Sequence, residues 1–282
     1  MNATTDRGDT VLITGCSSGI GLAAAVEFAR RGCDVVATMR DLGRSGSLSE
    51  ALTDAGVSAD VRVLDVADDE SVSSVVRSIV ADHGGVDIVI SNAGIGIDGT
   101  TEELSIDDFR ISFETNVLGT VRLLHALLPS WRERRSGRLI AVGSMAGVVG
   151  NPFNDAYCAS KFALEGLLES LHPVAAQHGV SVTLVEPGPV TGDFAKKYVP
   201  SDRGSDASGP YAAARARFQV VQDGGYQVAE TNEEIAEFLW GVARAAEPVL
   251  RYQTCDNVAK IVAVKLKDLT GERVTTMTSR WI

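Results

Sequence analysis

The chain has 282 residues, 45% hydrophobic and 22% charged, which is enough apolar material for a full core in one large domain or two small ones. A net charge of -11, with no basic run longer than "RERR", argues against nucleic acid or another polyanion as partner. A polar start, no apolar stretch near the roughly 18 residues of a membrane helix, and four scattered cysteines without CxxC lead us to expect a reduced cytoplasmic protein with no membrane-spanning segment, disulfide framework or metal site.

The first predicted strand, "TVLIT" (Thr10–Thr14), is apolar on consecutive positions, as a strand buried on both faces must be. It runs into "TGCSSGIG", Thr14 to Gly21, at the start of a helix. Gly15 permits a tight turn, while Gly19 and Gly21 let backbone approach a phosphate and let the helix pack on the sheet. With Ser17, Ser18 and Ile20, this loop offers a helix N-terminus to a dinucleotide diphosphate; a purely structural turn is the competing explanation. No Gly-Lys-Ser/Thr follows, so it is not a P-loop.

The second strand, "CDVVATM" (Cys33–Met39), ends in "TMRD". An acid in the place of Met39 would accept from the adenosine ribose; Met39 cannot, and the Arg40 guanidinium suits a 2′-phosphate. NADP is therefore expected, with NAD left open by Asp41. The third strand, "DVRVL" (Asp60–Leu64), is followed by Asp65 and Val66. Asp65 is placed either to accept from the adenine amine or to cap the next helix. The fourth, "VDIVIS" (Val86–Ser91), leads into "SNAG" with Asn92, Ala93 and Gly94.

From Ser105 to Arg134 a helix is predicted, with Ile111, Thr115, Leu118 and Arg122 along one face. The fifth strand, "RLIAVG" (Arg138–Gly143), stops at Ser144. A helix from Asp155 to Gln177 follows, with an apolar stripe through Leu164, Leu167, Leu168, Leu171 and Ala175. Pro173 lies inside it and predicts a kink or an early stop. The sixth strand, "VSVTLVE" (Val180–Glu186), precedes "PGPVTGDF", Pro187 to Phe194. Val199 to Tyr211 is rich in Ser, Gly, Asp and Pro and reads as a loop within a substrate lid of about 192–230. "PVLRYQT" (Pro248–Thr254) is the seventh strand, ahead of a C-terminal extension of about 255–282.

Strand–helix alternation of this kind predicts an α/β fold, a single Rossmann-type doubly wound domain over 1–282. It has a seven-stranded parallel sheet with helices on both faces. Tyr157 and Lys161 are four residues apart and share a helix face. Such a pair is ordinary by itself, but Ser144 ends the preceding strand, and all three converge if the sheet is ordered in this way. A serine-hydrolase elbow is excluded, because "GSMAG" is not G-x-S-x-G.

In their order, "TGCSSGIG", "LDV", "SNAG", Asn116, Ser144, "YCASK" and "PGPVTGDF" resemble the short-chain dehydrogenase/reductase family over about residues 10 to 254. Within it, "ATMRDL", "PFNDAYCASKFALEGL" and "LRYQT" resemble the estrogenic 17-beta-hydroxysteroid dehydrogenase and retinol dehydrogenase branch. The resemblance implies NADP(H)-dependent interconversion of a carbonyl and an alcohol. It makes Tyr157 the proton donor or acceptor and Ser144 a hydrogen-bond donor to the reacting oxygen. Lys161 would favour the phenolate and hold the nicotinamide ribose, and Asn116 would help hold a water. By the same resemblance, Asn92 to Gly94 lie beside the cofactor ribose, while Pro187, Gly188, Val190 and Thr191 seat the nicotinamide amide. It also implies a homodimer or homotetramer formed through the two long helices.

Two residues that read a steroid's distal hydroxyl in that branch fall at Ala216 and Arg280 here, and neither keeps the role. Asn151 replaces an expected apolar wall residue. Val148, Val149, Asn151, Phe194, Tyr211, Phe218 and Tyr226 are the pocket or lid candidates, collectively suited to a mostly apolar, steroid- or retinoid-like small molecule. A 3-oxoacyl thioester reductase and a non-catalytic NADP(H)-binding sensor are the alternatives.

Overall fold

Alternate side chains of the strand Thr10–Thr14 (β1) enter two different cores: Val11 and Ile13 one, Leu12 the other. The same division holds in Ile88–Ser91 (β4) and Gly137–Val142 (β6), whose odd and even apolar residues serve opposite faces. A strand that must be apolar on both faces cannot lie at a wet surface, so these form the centre of a sheet. In the computed structural model, which describes residues 8–192, 198–200, 209–226, 229–266, 268–270, 272 and 276, that sheet has seven strands.

The remaining strands are Asp34–Met39 (β2), Asp60–Val63 (β3), Gly96–Asp98 (β5), Val180–Glu186 (β7), Tyr198–Pro200 (β8) and Arg251–Gln253 (β9). The sheet order is β3-β2-β1-β4-β6-β7-β9, with every neighbouring pair parallel. Gly19–Arg30 (α1), Gly46–Asp54 (α2) and Asn232–Ala243 (α8) cover one face, with Phe28, Leu48 and Leu239 buried against it. Asp69–His83 (α3), Gly119–Arg134 (α5) and Asp155–Ala176 (α6) cover the other through Val76, Leu123 and Leu168. The single Rossmann-like α/β domain with helices on both faces is thus present. The chain leaves β1 toward β2 on one side and β4 on the other, and this reversal opens a crevice at the strands' carboxyl ends.

Several expectations change. The helix from Ser105 to Arg134 is Ile106–Phe113 (α4) and α5 joined by a π turn, Glu114–Leu118. One extra residue per turn shifts the helix face, so Ile111 and Leu118 are exposed while Ser112, Asn116 and Thr120 are buried. Along the face through Ile111, Thr115, Leu118 and Arg122, Arg122 pairs with Glu114 at 2.8 Å and with Asp69. Pro173 does not stop α6, which runs on to Ala176; Pro173 and Ala175 are both buried, and that packing outweighs the lost backbone hydrogen bond. Val199 and Pro200, expected in a loop, belong to β8, which pairs in parallel with β5 in a separate ribbon. The seventh predicted strand keeps only its last part, although the Leu250 carbonyl still accepts from the Leu184 N–H at 2.7 Å.

Candidate active site

The turn after β1 is glycine-dependent in the way its sequence suggests. Gly15 and Gly19 hold φ of 77° and 65°, in the left-handed region. Gly21 sits where a Cβ would stand 2.4 Å from Asn92 Nδ2 and 2.5 Å from the Gly15 carbonyl. Asn92 ties this turn to the end of β4, donating from Nδ2 to the Thr14 carbonyl at 2.8 Å. Thr14 Oγ1 in turn accepts from the N–H groups of Asn92 and Ala93, at 3.0 and 2.9 Å. At the start of α1, Ser18 makes no side-chain cap, and its Oγ is buried with no hydrogen-bond partner among the described residues.

A cavity of about 930 Å³ opens over this turn. Gly15, Ser17, Ser18, Gly19 and Ile20 form its floor, and Met39, Arg40, Asp41 and Arg44 one end. Leu64 and Val66 flank that end, but Asp65 does not line it. The Asp65 carboxylate accepts from the Ala67 N–H at 3.0 Å, and it is Asp68 that caps α3. Asn92, Ala93, Gly94, Pro187, Gly188 and Val190 line the middle. Thr191 turns away, its N–H donating to the Glu230 carbonyl at 2.8 Å.

Ser144, Tyr157 and Lys161 share one wall. Ser144 caps the short turn Met145–Gly147, its Oγ accepting from the Ala146 N–H at 3.1 Å, which leaves the hydroxyl proton for another acceptor. Tyr157 and Lys161, near the start of α6, are 7% and 6% exposed. Lys161 Nζ donates to the Val142 carbonyl at 2.7 Å and lies 5.8 Å from the Tyr157 ring centre. Burial without an opposing carboxylate pulls the Lys161 ammonium down to about 8.

Asn116 does not line the cavity; it lies behind the wall, inside the π turn. Its Oδ1 accepts from the Ile95 N–H at 2.9 Å, and its Nδ2 donates to the Ile95 carbonyl at 3.0 Å and to Ser160 Oγ at 2.9 Å. A Cβ on Gly94 would stand 3.2 Å from Asn116 Oδ1 and 3.9 Å from Lys161 Nζ, so these three residues meet at one point.

Beyond Tyr157 the cavity is bounded by Met145, Ala146, Asn151, Phe218, Asn257 and Ile261. Phe218 comes from Ala212–Tyr226 (α7) and packs on Phe153 at 5.6 Å. Arg215, one turn earlier, lies 4.4 Å over the Phe153 ring and pairs with Asp98 at 2.6 Å and Glu103 at 2.8 Å. Of the other pocket candidates, Val148 and Val149 pack against Asp256–Lys265 (α9), and Tyr211 bonds Glu102. Ala216 is exposed on α7; Phe194, Arg280 and the Tyr226 side chain lie outside the described residues. The sequence alone did not identify Arg44, Asn257 or Ile261. Arg44 follows Arg40 by four residues, and Asn257 and Ile261 share a helix face, which are weak signals without the tertiary contact.

A family model described as short chain dehydrogenase matches residues 9–203. Retinol dehydrogenase 8 of Bos taurus is 38% identical over 275 residues, covering 94% of this chain and 88% of the relative. The human 17-beta-hydroxysteroid dehydrogenase type 1 is 39% identical over 279 residues, covering 96% and 84%. Among solved structures, a short-chain dehydrogenase from Streptomyces avermitilis superposes with a TM-score of 0.80 at 29% identity, covering 99% of this chain and 97% of that one.

Proposed function

The chain belongs to the short-chain dehydrogenase family, oxidoreductases that act on alcohols and carbonyls with NAD(P), and on that premise we propose an NADP(H)-dependent enzyme for a mostly apolar, steroid- or retinoid-like substrate. The observation that carries it is the shared wall of Ser144, Tyr157 and the buried Lys161 beside the glycine turn. The residues present fit a dinucleotide: Ser18 Oγ is a buried, unpartnered donor at a helix N-terminus, where a diphosphate would supply its acceptor.

When bound, a nicotinamide dinucleotide supplies or takes up the hydride. Tyr157 then gives its proton to the carbonyl oxygen, or removes one from the alcohol. The free proton of Ser144 bonds the same oxygen and fixes its place. Lys161 brings positive charge beside the phenol, whose pKa is otherwise near 10, and so favours the phenolate. Asn116 holds Ile95 and the Gly94 backbone against Lys161. Arg40 and Arg44, two cations at the end where Met39 replaces an acid, favour a 2′-phosphate and hence NADP. The apolar Met145, Phe218 and Ile261, together with the two relatives named for a steroid and a retinol, favour a large apolar substrate.

Among the described residues no helix is long and apolar enough to cross a membrane. Exposed Leu118 and Val174, beside α5 and on α6, support pairing of two copies through those helices. Light scattering at micromolar protein tests that arrangement, and a monomer refutes it.

The activity itself is tested by following NADPH absorbance with steroid ketones, retinaldehyde and 3-oxoacyl thioesters. Faster turnover of the steroid or retinoid carbonyl is expected. Preference for the thioester would move the enzyme to a different substrate class, and no hydride transfer with any carbonyl would reject catalysis.

A further inference from the structure

Glu186 is the last residue of β7, adjacent to Pro187 at the cavity, and is fully buried. Glu165 follows Lys161 by one helical turn and is buried as well. Between them lies Arg251 of β9. Its Nε donates to Glu165 Oε2 at 2.6 Å and lies 3.7 Å from Glu186 Oε1, while its Nη2 pairs with Glu169. Gln253 Nε2 donates to Glu186 Oε2 at 2.9 Å. The groups facing Glu186 are therefore Glu165 with Glu169 behind it on α6, and Arg251 and Gln253 on β9; just past the end of β6 the neighbour is the uncharged Gly143.

One guanidinium thus meets three carboxyl groups. Two of their oxygens, Glu165 Oε1 and Glu186 Oε1, are buried and have no hydrogen-bond partner among the described residues. Two ionised carboxylates left this way would each carry a desolvation cost and repel one another. Both carboxyl groups lie beside the same Arg251 Nε, at 2.6 and 3.7 Å, so a proton on one of them would remove a charge from the pair and supply a hydrogen-bond donor beside the other. Burial first, then the hydrogen bond and charge of Glu165, push the Glu186 carboxyl up to about 9 against the pull of Gln253 and Arg251.

We propose that Glu165 and Glu186 share one proton and act as a positioning pair, tying the Tyr157–Lys161 helix to the Pro187–Val190 loop so that the two walls of the cofactor cavity keep their spacing. The role rests on reading that cavity as the dinucleotide site. Arg251 and Gln253 extend the unit to the segment after α9: the Arg251 N–H donates to the Thr270 carbonyl at 3.2 Å, and Gln253 Nε2 to the Leu269 carbonyl at 3.0 Å.

The test compares the full chain with Glu186→Gln, which keeps the shape of a protonated acid but has no proton to lose. A carboxyl protonated in the native state and ionised in the unfolded state makes stability fall as pH rises between its two pKa values. The wild-type unfolding midpoint should therefore drop relative to Glu186→Gln from about pH 5 to about pH 9 and run parallel above that. In a second arm, NADPH is titrated by fluorescence at pH 7 and pH 10. Glu186→Gln should bind within about threefold of wild type at pH 7, and wild type should lose at least about tenfold more affinity than the variant by pH 10. Lys161 titrates in both proteins and cancels.

Parallel unfolding profiles overturn the shared proton. A pH-dependent difference in unfolding with parallel NADPH curves overturns the positioning role, as does tenfold weaker NADPH binding by the variant at pH 7. If wild type binds no NADPH at either pH, the dinucleotide assignment of the cavity fails, and the unfolding arm still decides the shared proton.

Discussion

Lys161 Nζ lies 5.8 Å from the centre of the Tyr157 ring, with its hydrogen bond directed to the Val142 carbonyl rather than to a carboxylate. Among the described residues no acid pairs with this cation, which fits the role we propose for it beside the phenol. Tyr157→Phe removes the transferable proton while keeping the ring packing. Turnover should fall about 10³-fold with NADPH affinity held within about threefold. Stopped-flow hydride transfer and a cofactor titration measure the two quantities, and retained turnover would remove Tyr157 from the chemistry.

Burial sets a cost on Lys161 itself. Its native pKa of about 8 lies below the ordinary 10.5, so the unfolded chain holds the proton more tightly. The penalty on the cofactor-free protein is present in full below about pH 8 and disappears as pH rises toward 10.5. It amounts to about 3 kcal/mol before relaxation and the lost Val142 bond are allowed for. Lys161→Met should therefore make the cofactor-free protein more stable at pH 7, with the advantage shrinking between pH 8 and 10.5. Urea unfolding across that range checks the sign, and a gap that widens with pH would contradict it.

Arg40 and Arg44 both line the cavity beside Met39, where we propose that the 2′-phosphate of NADP binds. Arg40→Asp should weaken NADPH binding by roughly 100-fold, and Arg44→Ala by roughly tenfold, with NADH affected less than about threefold. Calorimetric titration with both cofactors distinguishes them. Equal losses for NADPH and NADH would show that neither arginine reads the phosphate.

Arg215 holds α7 through Asp98, Glu103 and the Phe153 ring, and so sets where Phe218 meets the cavity. Arg215→Ala should lower kcat/KM for a bulky apolar ketone by roughly tenfold, mainly through KM, which corresponds to about 1.4 kcal/mol. A small aldehyde that does not reach Phe218 should change less than about twofold. Similar losses on both substrates would indicate general loosening rather than a placed wall.

Much of this was legible in the sequence because each signal is local. β1, β2 and β4 advertise burial on both faces by consecutive apolar residues; Gly15 and Gly19 mark a turn whose backbone angles only glycine adopts readily, and Gly21 a close approach that leaves no room for a Cβ. The four-residue spacing of Tyr157 and Lys161 fixes their common helix face wherever the helix goes. The π turn at Glu114–Leu118 was not legible, since its residues have ordinary helical character. It carries Asn116, whose side chain bonds Ile95 and Ser160 across the fold, a partnership that no local pattern announces.

Composition and local pattern therefore determined the alternating sheet, the glycine turn and the candidate residues. Only the tertiary structure decided that Asp65 and Thr191 turn from the cavity while Arg44, Asn257 and Ile261 border it. Only the tertiary structure, too, gathered Glu165, Glu186 and Arg251 from a helix and two strands into one buried cluster. The reason is physical: backbone propensity acts over a few residues, whereas desolvation and pairing of charge depend on what distant segments bring within hydrogen-bond reach.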